Sequence, residues 1–538
     1  MMSGMNQIKQ LIFLERMKFI SAFFLLFLIH HAFIFSQETI TIDAGTDDGS
    51  FKNYTGFIHG ETNIESHSAT LNMLLSLKPN FWRNSDWFET QELATDLSVQ
   101  TTMVISDFYA NFKGGYSNAK PWLNWTEYES FVATLVNNYA ANGQSPDFWD
   151  VWNEPNDPYY WSGNLSQLIE SFKRTRQVLD AINPAIKMVG PSLNSYDGAG
   201  IEYILDSLAA SGVTMDAVSW HEFGLPDSLA VHINDFNNRK LLNPTWNNPE
   251  IHINEYSPQQ TNQIPAYRLG WFYHLEQNDV DWANTACWDN NDGSTVWSNC
   301  LVGLNGLFWH DEQSPLPVFW LNLAYAKMLT GKRIFCTHSD AKTLALSSKT
   351  DSLSELKILV GRFYSIDNGS YLPTDIGKDS SNVTITVNNY PYLTNGTVPL
   401  IIQKIPKGDM NFQNSPLAGP LTHYSGSVSV TAGVITITIP NFQDGDVYLI
   451  YLNSTDILGQ MATSHEDKLA VFPNPSSSSI TLLTENRIYE PVIFINAVGE
   501  TVKETVITSD EMTIDLTNLP AGIYYIKTRW QIIQFVKN

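Results

Sequence analysis

Between residues 51 and about 330, short runs of apolar and β-branched residues alternate with longer amphipathic stretches. This alternation is typical of βα units repeated around a parallel sheet. The apolar runs predict eight strands, at residues 54–58, 81–83, 102–105, 148–152, 186–189, 217–220, 251–253 and 282–287. Eight strands over about 280 residues favour a (β/α)8 TIM barrel over an open doubly wound sheet. We therefore expect an α/β protein whose barrel occupies residues 37–334.

One amphipathic stretch shows the helical period clearly. Its apolar residues recur at spacings of three, four or seven, and they are Leu165, Leu168, Ile169, Phe172, Leu179 and Ile182. Residues at these spacings lie on one face of a helix. Asn183 and Pro184 should end this helix just before the fifth strand, because proline cannot continue a helix.

After residue 334 the pattern changes to alternating strands without a helical period. Val383, Ile385 and Val387 alternate with threonine, and a similar run surrounds Ile437. Alternation of this kind indicates strands with one buried face. We expect a β-sandwich at residues 335–455, a polar linker at 456–467 and a second, small β-sandwich at 468–538.

The first residues read as a secretory signal peptide, residues 1–36. Lys18 precedes an apolar run from residue 19 to 35, and polar residues follow it. Met17 would then be the biological start, because it gives a short basic segment before the apolar run. A retained membrane anchor is the alternative, although the run is short for a membrane span. The mature protein is expected to have no membrane span.

Composition narrows the possible partners. The 538 residues include 43% hydrophobic side chains, enough for a folded protein of several domains. The 31 basic residues are outnumbered by 55 acidic ones, giving a net charge of −24, which disfavours nucleic acid and anionic membranes. Aromatic residues make up 12% of the chain, and their faces suit stacking on sugar rings.

The cysteines and the search for cofactor motifs say little about function. Cys287 and Cys300 could pair and leave Cys336 free, but three unpaired thiols are equally consistent with the sequence. The sequence lacks the glycine fingerprints of nucleotide-binding loops and the paired histidines of a zinc helix. We expect no cofactor and no bound metal.

Two glutamates follow two of the predicted strands. Glu154 follows the fourth strand, in Trp-Asn-Glu-Pro-Asn, and Glu255 follows the seventh, in Asn-Glu-Tyr-Ser. The carboxyl ends of barrel strands build one pocket, so both carboxylates should face it. Two carboxylates across a cleft are the minimal equipment for glycoside hydrolysis. The plainer alternative is that each is a solvated loop residue or a charge at a helix start.

These segments resemble the retaining glycoside hydrolases of clan A. FWDVWNEPN at residues 148–156 and EYS at 255–257 are most similar to glycoside hydrolase family 39. Family 79 is the rival, since SWH at 219–221 and PLPVFW at 315–320 are similar to segments of that family. The resemblance implies a (β/α)8 hydrolase in which Glu154 is the acid/base and Glu255 the nucleophile.

Four neighbours also have expected roles. The charge of Arg83, at the end of the second strand, would hold Glu255 ionised, and His221, after the sixth strand, could hydrogen-bond Glu255 or a substrate hydroxyl. The resemblance implies that Asn153 would bind the sugar 2-hydroxyl and that Trp288 would stack under the reacting sugar. The alternatives are a structural ion pair for Arg83, a satisfied buried histidine for His221 and a core position for Trp288.

Residues 468–538 resemble the C-terminal sorting domain of the type IX secretion system of Bacteroidetes. The similarity rests on Pro-Asn-Pro at 473–475, a glycine turn at 496–500 and LPAGIY at 519–524. It implies export by the type IX machinery to the medium or cell surface. Together these observations predict a secreted retaining glycoside hydrolase acting on an oligo- or polysaccharide by double displacement. The alternatives are a non-catalytic carbohydrate-binding surface protein and a family 79-like glucuronidase.

Overall fold

A computed structural model describes most of the chain after the predicted signal peptide. The described residues are 38–59, 68–84, 99–288, 304, 306–309, 313–363, 380–407, 415–454, 456–459, 470–483, 491–497, 499–507, 511–528 and 532–538. Residues 1–36, predicted as the signal peptide, lie outside the described residues. Among the described residues, no helix has the length and apolar character required to cross a membrane.

Strand β1 (Glu38–Ser50) is followed along the chain by eight parallel strands that form one sheet. They are β2 (Gly56–Ile58), β3 (Phe81–Asn84), β4 (Gln100–Val104), β5 (Phe148–Asp150), β6 (Lys187–Leu193), β7 (Ala217–Glu222), β8 (Glu250–Tyr256) and β9 (Trp282–Thr285). Each strand pairs with the next in sequence, and Asn284 Nδ2 donates to the Phe57 carbonyl at 2.8 Å, joining the last strand to the first. The predicted (β/α)8 barrel is confirmed.

The described helices are α1 (Ser68–Ser76), α2 (Ile105–Lys113), α3 (Trp125–Ala141), α4 (Leu165–Ile182), α5 (Gly198–Ala209), α6 (Ser228–Leu242), α7 (Pro265–Gln277) and α8 (Pro317–Met328). Helix α4 is the one that the apolar period predicts. Asn164 caps it through a capping box with Gln167, which satisfies backbone N–H groups of the first turn. Leu168, Phe172 and Leu179 are buried as expected, whereas Leu165 in the first turn is exposed.

The barrel interior is layered, because alternate residues of each strand point inward. Near the amino ends of the strands lies an apolar layer of Phe81, Phe148, Val189 and Ala217, against which Trp282 packs. The next layer towards the carboxyl ends is polar, and its members are Arg83, Asp150, Ser192, Ser219 and Asn254. This polar layer forms the floor beneath the two glutamates.

A second sheet of nine strands follows the barrel. Its later strands are β10 (Lys332–His338), β11 (Thr343–Thr350), β12 (Glu355–Arg362), β13 (Ser380–Asn388), β14 (Gly396–Ile405), β15 (Leu421–Val430), β16 (Ile435–Gln443) and β17 (Val447–Leu452), in the order β15-β14-β17-β12-β11-β10-β1-β13-β16. Its apolar face encloses a core that includes Ile42, Ile358 and Ile385.

Strand β1 belongs to this second sheet and not to the barrel. It pairs antiparallel with β10 and parallel with β13. The sequence assigned residues 37–334 to the barrel, so that boundary is wrong for residues 38–50. The alternation of Thr39, Ile40, Thr41 and Ile42 suits a strand with one buried face, which this sheet provides.

The first four residues of the predicted linker at 456–467 are packed against the folded domains. Asp456 contacts Lys327 of α8, and its Oδ2 accepts from Lys357 Nζ at 2.9 Å. The Leu458 side chain is buried, and its backbone exchanges two hydrogen bonds with the Gln403 side chain. Residues 456–459 are therefore anchored to the barrel and the second sheet, unlike a free linker.

The C-terminal strands form two small sheets. They are β18 (Ala470–Phe472), β19 (Ser479–Leu483), β20 (Pro491–Asn496), β21 (Thr501–Val506), β22 (Glu511–Asp515), β23 (Gly522–Lys527) and β24 (Ile532–Lys537), in the orders β18-β19-β22 and β21-β20-β23-β24. Leu482, Phe494, Ile514 and Phe535 share one apolar core. The two sheets bury this core between them, as in a small β-sandwich.

Candidate active site

The two glutamates lie at the carboxyl ends of β5 and β8. Glu255 is the penultimate residue of β8, and Glu154 lies in the loop after β5 with a positive φ of 45°. Their side chains are 13% and 14% exposed. The Glu154 backbone N–H donates to the Ser192 carbonyl at 2.9 Å, which holds the loop in place. A non-glycine residue with a positive φ carries backbone strain, and such strain concentrates at functional sites.

A register shift brings Glu255 into the pocket. Strand β7 pairs with β8 at Trp220–Ile253 and next at His221–Glu255, so that Asn254 is an extra residue on β8. A bulge of this kind re-aims side chains. As a result Asn254 contacts the polar floor, and Glu255 follows immediately above it.

Arg83 connects the two levels of the site. Its Nη1 donates to Glu255 Oε1 at 2.8 Å, while Nε and Nη2 donate to Asp150 Oδ2 at 3.1 and 2.9 Å. Burial lowers the pKa of the guanidinium, but the charges of Asp150 and Glu255 outweigh burial and raise it. A guanidinium cation therefore touches Glu255.

Asp150 is completely buried and contacts two further hydrogen-bond donors. Ser192 Oγ lies 2.8 Å from each of its carboxylate oxygens, and Asn254 Nδ2 donates to Oδ2 at 2.9 Å. Ser192 Oγ also lies 2.7 Å from Ser219 Oγ. This network holds the Arg83 guanidinium in the position from which its Nη1 reaches Glu255.

Glu154 is arranged to carry a proton near neutral pH. Burial raises the pKa of its carboxyl to about 7, and the charges of Asp157 and Asp107 add to this shift while Arg83 opposes it. The expected contribution of Glu255 is not among these causes. Burial is therefore the main reason for the raised pKa.

His221 lies between the two glutamates. Its Nδ1 is 2.9 Å from Glu154 Oε1, and its Nε2 is 3.8 Å from Glu255 Oε1. The predicted bond to Glu255 is thus too long for a hydrogen bond, and the short contact is with Glu154. Burial lowers the pKa of the imidazole to about 4. A protonated Glu154 can donate to the neutral ring at Nδ1.

Asn153 is held on both sides. Its Oδ1 accepts from Arg83 Nη2 at 2.8 Å, and its backbone N–H donates to Ser106 Oγ at 2.9 Å. The amide oxygen is therefore oriented towards Arg83. The structure thus places Asn153 in contact with Arg83, and the expected binding of a sugar hydroxyl stays a prediction.

Trp288 follows β9 beside the pocket. Its Nε1 donates to the Ser257 carbonyl at 3.1 Å, and its ring packs edge-on against Phe223 with centroids 4.9 Å apart. Phe223 in turn contacts the His221 ring at 5.4 Å. Aromatic contacts therefore link Trp288 to the residue between the two glutamates.

Sequence reasoning missed several parts of this site. Asp150 has a visible signal, because a carboxylate within the apolar run FWDVW needs a buried cation. Ser192 and Asn254 give no local signal, since their positions depend on the register shifts of β6 and β8. Tyr160 was also missed, and burial together with the charges of Glu154 and Glu255 raises the pKa of its phenol.

The structure describes two cysteines. Cys287 is disulfide-bonded and Cys336 is a free thiol, while Cys300 lies outside the described residues. Within the described ranges, no three His, Cys, Asp or Glu side chains are grouped closely enough to hold a metal ion. The described site brings together two carboxyls, one with a raised pKa and one paired with a cation.

Residues 94–250 match the sequence profile of glycosyl hydrolases family 39. The predicted resemblance is confirmed. The matched range contains Asn153, Glu154 and His221, and Glu255 lies just beyond its end. Residues 470–537 match the secretion system C-terminal sorting domain, which indicates a secreted or cell-surface protein.

A curated relative and several solved structures are similar to the chain. A beta-xylosidase of Caldicellulosiruptor saccharolyticus is 26% identical over 122 residues, which cover 22% of this chain and 24% of that protein. The match thus spans about a quarter of the relative.

Among solved structures, a GH39 enzyme from Xanthomonas axonopodis pv. citri has 15% identity and a TM-score of 0.59, covering 78% of this chain and 98% of that one. A monomeric beta-xylosidase from Caulobacter crescentus has 13% identity and a TM-score of 0.55, covering 77% and 99%. A protein of Neocallimastix frontalis has 18% identity and a TM-score of 0.62, also covering 77% and 99%. At these identities the likeness supports the fold.

Proposed function

We propose that the protein is a secreted retaining glycoside hydrolase that cleaves an oligo- or polysaccharide by double displacement. The observation that supports this most directly is the division between the two glutamates. Burial raises the pKa of Glu154 to about 7, whereas Glu255 is paired with Arg83 at 2.8 Å. One carboxyl can therefore donate a proton while the other attacks as an anion.

In the first step, Glu154 gives its proton to the glycosidic oxygen as the bond between that oxygen and the anomeric carbon breaks. A carboxylate oxygen of Glu255 attacks the anomeric carbon from the opposite face, so that an ester replaces the glycosidic bond. The departing sugar leaves as an alcohol. The negative charge that was on Glu255 is now on Glu154.

In the second step, the Glu154 carboxylate removes a proton from a water molecule. The water oxygen attacks the anomeric carbon, and the bond to Glu255 breaks. The product is a sugar with retained configuration. Glu154 is protonated again and Glu255 is again a carboxylate beside Arg83.

The neighbouring residues support these steps. Because the Asn153 amide oxygen faces Arg83, its NH2 group is left to bind a sugar hydroxyl. The neutral His221 ring holds the Glu154 carboxyl through Nδ1. Trp288 is proposed as the aromatic surface under the reacting sugar, and the type IX machinery is proposed as the export partner.

The first substrates to test are β-xylosides, because the matched relative is named as a beta-xylosidase. A panel of 4-nitrophenyl glycosides that includes the β-xyloside, β-glucoside, α-arabinofuranoside and β-glucuronide would identify the glycone. Cleavage of the glucuronide alone would favour the family 79-like alternative. A wild-type protein that cleaves no member of the panel but binds polysaccharide would support a non-catalytic binding protein.

The roles of the two glutamates are tested with Glu154→Ala and Glu255→Gln. Glu255→Gln should abolish turnover of every substrate, since no other group forms the ester. Glu154→Ala should still form the glycosyl-enzyme from aryl glycosides, because their leaving groups need little protonation. Hydrolysis of that ester should then be slow, because no base is present to deprotonate water. Added azide should restore its turnover and yield a glycosyl azide with retained configuration.

Glu222→Gln is the matched control. Glu222 also lies at the end of a barrel strand, but it accepts from Trp220 Nε1 at 2.7 Å and contacts His232 of α6, so it faces the helices. This variant should keep its activity. Azide rescue of Glu255→Gln instead of Glu154→Ala would reverse the assignment, and a product of inverted configuration would refute the double displacement.

A further inference from the structure

Three tyrosines form a cluster beside the candidate acid/base. Tyr159 and Tyr160 lie in the loop that follows Glu154, and Tyr116 begins a short 3-10 helix after α2. The ring centroids of Tyr159 and Tyr160 are 4.9 Å apart, those of Tyr116 and Tyr160 are 4.8 Å apart, and those of Tyr116 and Tyr159 are 6.0 Å apart. Each ring therefore contacts the other two, and we call this group the tyrosine cluster.

The tyrosine cluster is attached to the strand end that carries the catalytic residues. Trp152 Nε1 donates to the Tyr160 carbonyl at 3.0 Å, and the Trp152 ring packs edge-on against Tyr116. The Tyr116 hydroxyl donates to Asp107. The Tyr159 backbone N–H donates to Asp157 Oδ1 at 2.8 Å. These contacts fix the rings before any ligand arrives, which reduces the entropy lost on binding.

The cluster extends from the buried pocket to the surface. Tyr160 is half-buried, and the charges of both Glu154 and Glu255 act on its phenol. Tyr159, the next ring outward, is 70% exposed. A large ring held rigidly at the surface next to a catalytic cleft offers an apolar face to a ligand.

We propose that Tyr159, supported by Tyr160 and Tyr116, is the binding platform for the departing sugar. This inference rests on the proposed function and narrows its substrate class to saccharide chains, in which the leaving group is itself a pyranose. Because Glu154 protonates the departing oxygen, that sugar lies on the Glu154 side of the cleaved bond. The loop that continues from Glu154 provides the exposed Tyr159 ring on this side.

The platform acts through the transition state of the first step. Stacking on a sugar face holds the departing sugar while Glu154 protonates its oxygen, and binding energy from this remote part of the substrate lowers the barrier. Pairs of aromatic rings contribute about 0.5 to 1.5 kcal/mol, and we take the same range for a ring stacked on a sugar face. This corresponds to a change of about 2- to 12-fold in kcat/KM for substrates that carry a departing sugar.

The test compares two β-xylosyl substrates that differ only in leaving group. Xylotriose has a departing saccharide, whereas β-xylosyl fluoride has a single atom that cannot reach Tyr159. Tyr159→Ala should lower kcat/KM for xylotriose by about 2- to 12-fold and leave the value for the fluoride within about twofold. Tyr159→Phe should behave like wild type, because the ring and not the hydroxyl carries the contact.

Tyr203→Ala is the matched control, since Tyr203 is also an exposed tyrosine, 57% accessible, on helix α5. This variant should leave kcat/KM unchanged for both substrates. An equal loss on both substrates would overturn the platform and indicate a structural effect of Tyr159, and no loss on xylotriose would overturn it as well. If the panel identifies another glycone, the same pair of substrates is made with that sugar. A wild-type protein that hydrolyses no member of the panel would refute the proposed hydrolase and the platform with it.

Discussion

Replacing Glu154 with glutamine should stabilise the protein above pH 7, even though it removes the proposed acid/base. The carboxyl is favoured in its protonated form by burial, which raises its pKa from 4.5 to about 7 in the folded protein. An unfolded chain ionises this group near its ordinary pKa. Stability is therefore lost as the pH rises from 4.5 through 7, because the folded state then holds an unfavourable buried anion. Glutamine has no such anion.

The magnitude follows from the size of the shift. A difference of about 2.5 pH units at about 1.4 kcal/mol per unit gives about 3 kcal/mol at pH 8. Glutamine can also donate to His221 Nδ1, as the protonated glutamate does, so that this contact persists. Below pH 4.5 the two proteins should be nearly equal in stability, since both then carry a neutral side chain.

The assay is chemical denaturation of both proteins at pH 5 and pH 8, followed by tryptophan fluorescence. The gap in unfolding free energy between variant and wild type should widen by about 2 to 3 kcal/mol between these pH values. Glu129→Gln is the control, because it removes a surface carboxylate that pairs with Arg174 and contributes about 1 kcal/mol or less. A gap for Glu154→Gln that is the same at both pH values would refute the burial of the Glu154 charge.

Three further predictions concern the pKa of Glu154, the buried pair of Asp150 with Arg83, and the C-terminal domain. The kcat/KM of wild type should fall as the pH rises through about 7, because Glu154 must be protonated to act, and Asp157→Asn should shift this limb to lower pH in a pH–rate profile. Asp150→Ala should lower the unfolding free energy by about 3 to 5 kcal/mol in denaturant titrations, since Arg83 then loses its buried partner; a loss below about 1 kcal/mol would contradict the buried pair. Deleting residues 468–538 should leave kcat/KM of the purified protein unchanged, and a large loss in a folded deletion variant would contradict a role in export alone.

The barrel could be predicted from the sequence because buried parallel strands are short continuous apolar runs. Each of the eight predicted runs overlaps an observed strand, and the segments after the fourth and seventh runs carry the two glutamates. The sequence alone is therefore enough to place residues such as the two glutamates at the ends of barrel strands. The predicted contact between Arg83 and Glu255 also follows, because both residues lie at ends of strands that face the same pocket.

The hydrogen-bond partners could not be predicted in the same way. His221 was expected to hydrogen-bond Glu255 or a substrate hydroxyl, but its short contact is with Glu154 in the loop after β5. That contact depends on how a loop and a strand distant in sequence are positioned relative to each other, and no local pattern encodes it. The same limit applies to β1, whose alternating pattern indicates a strand but not the sheet that it joins.

The position of β1 inside the nine-stranded sheet makes the barrel an insertion within the other domain. Ile40 pairs with His338 on one side, 298 residues further along the chain, and with Ile385 on the other, 345 residues further along. The sheet cannot be completed until the chain up to Leu452 is available, so a chain that emerges from its amino end keeps residues 38–50 unpaired while the barrel forms. Pairing over such distances is slow. The sheet should then close last, holding the two ends of a finished barrel together.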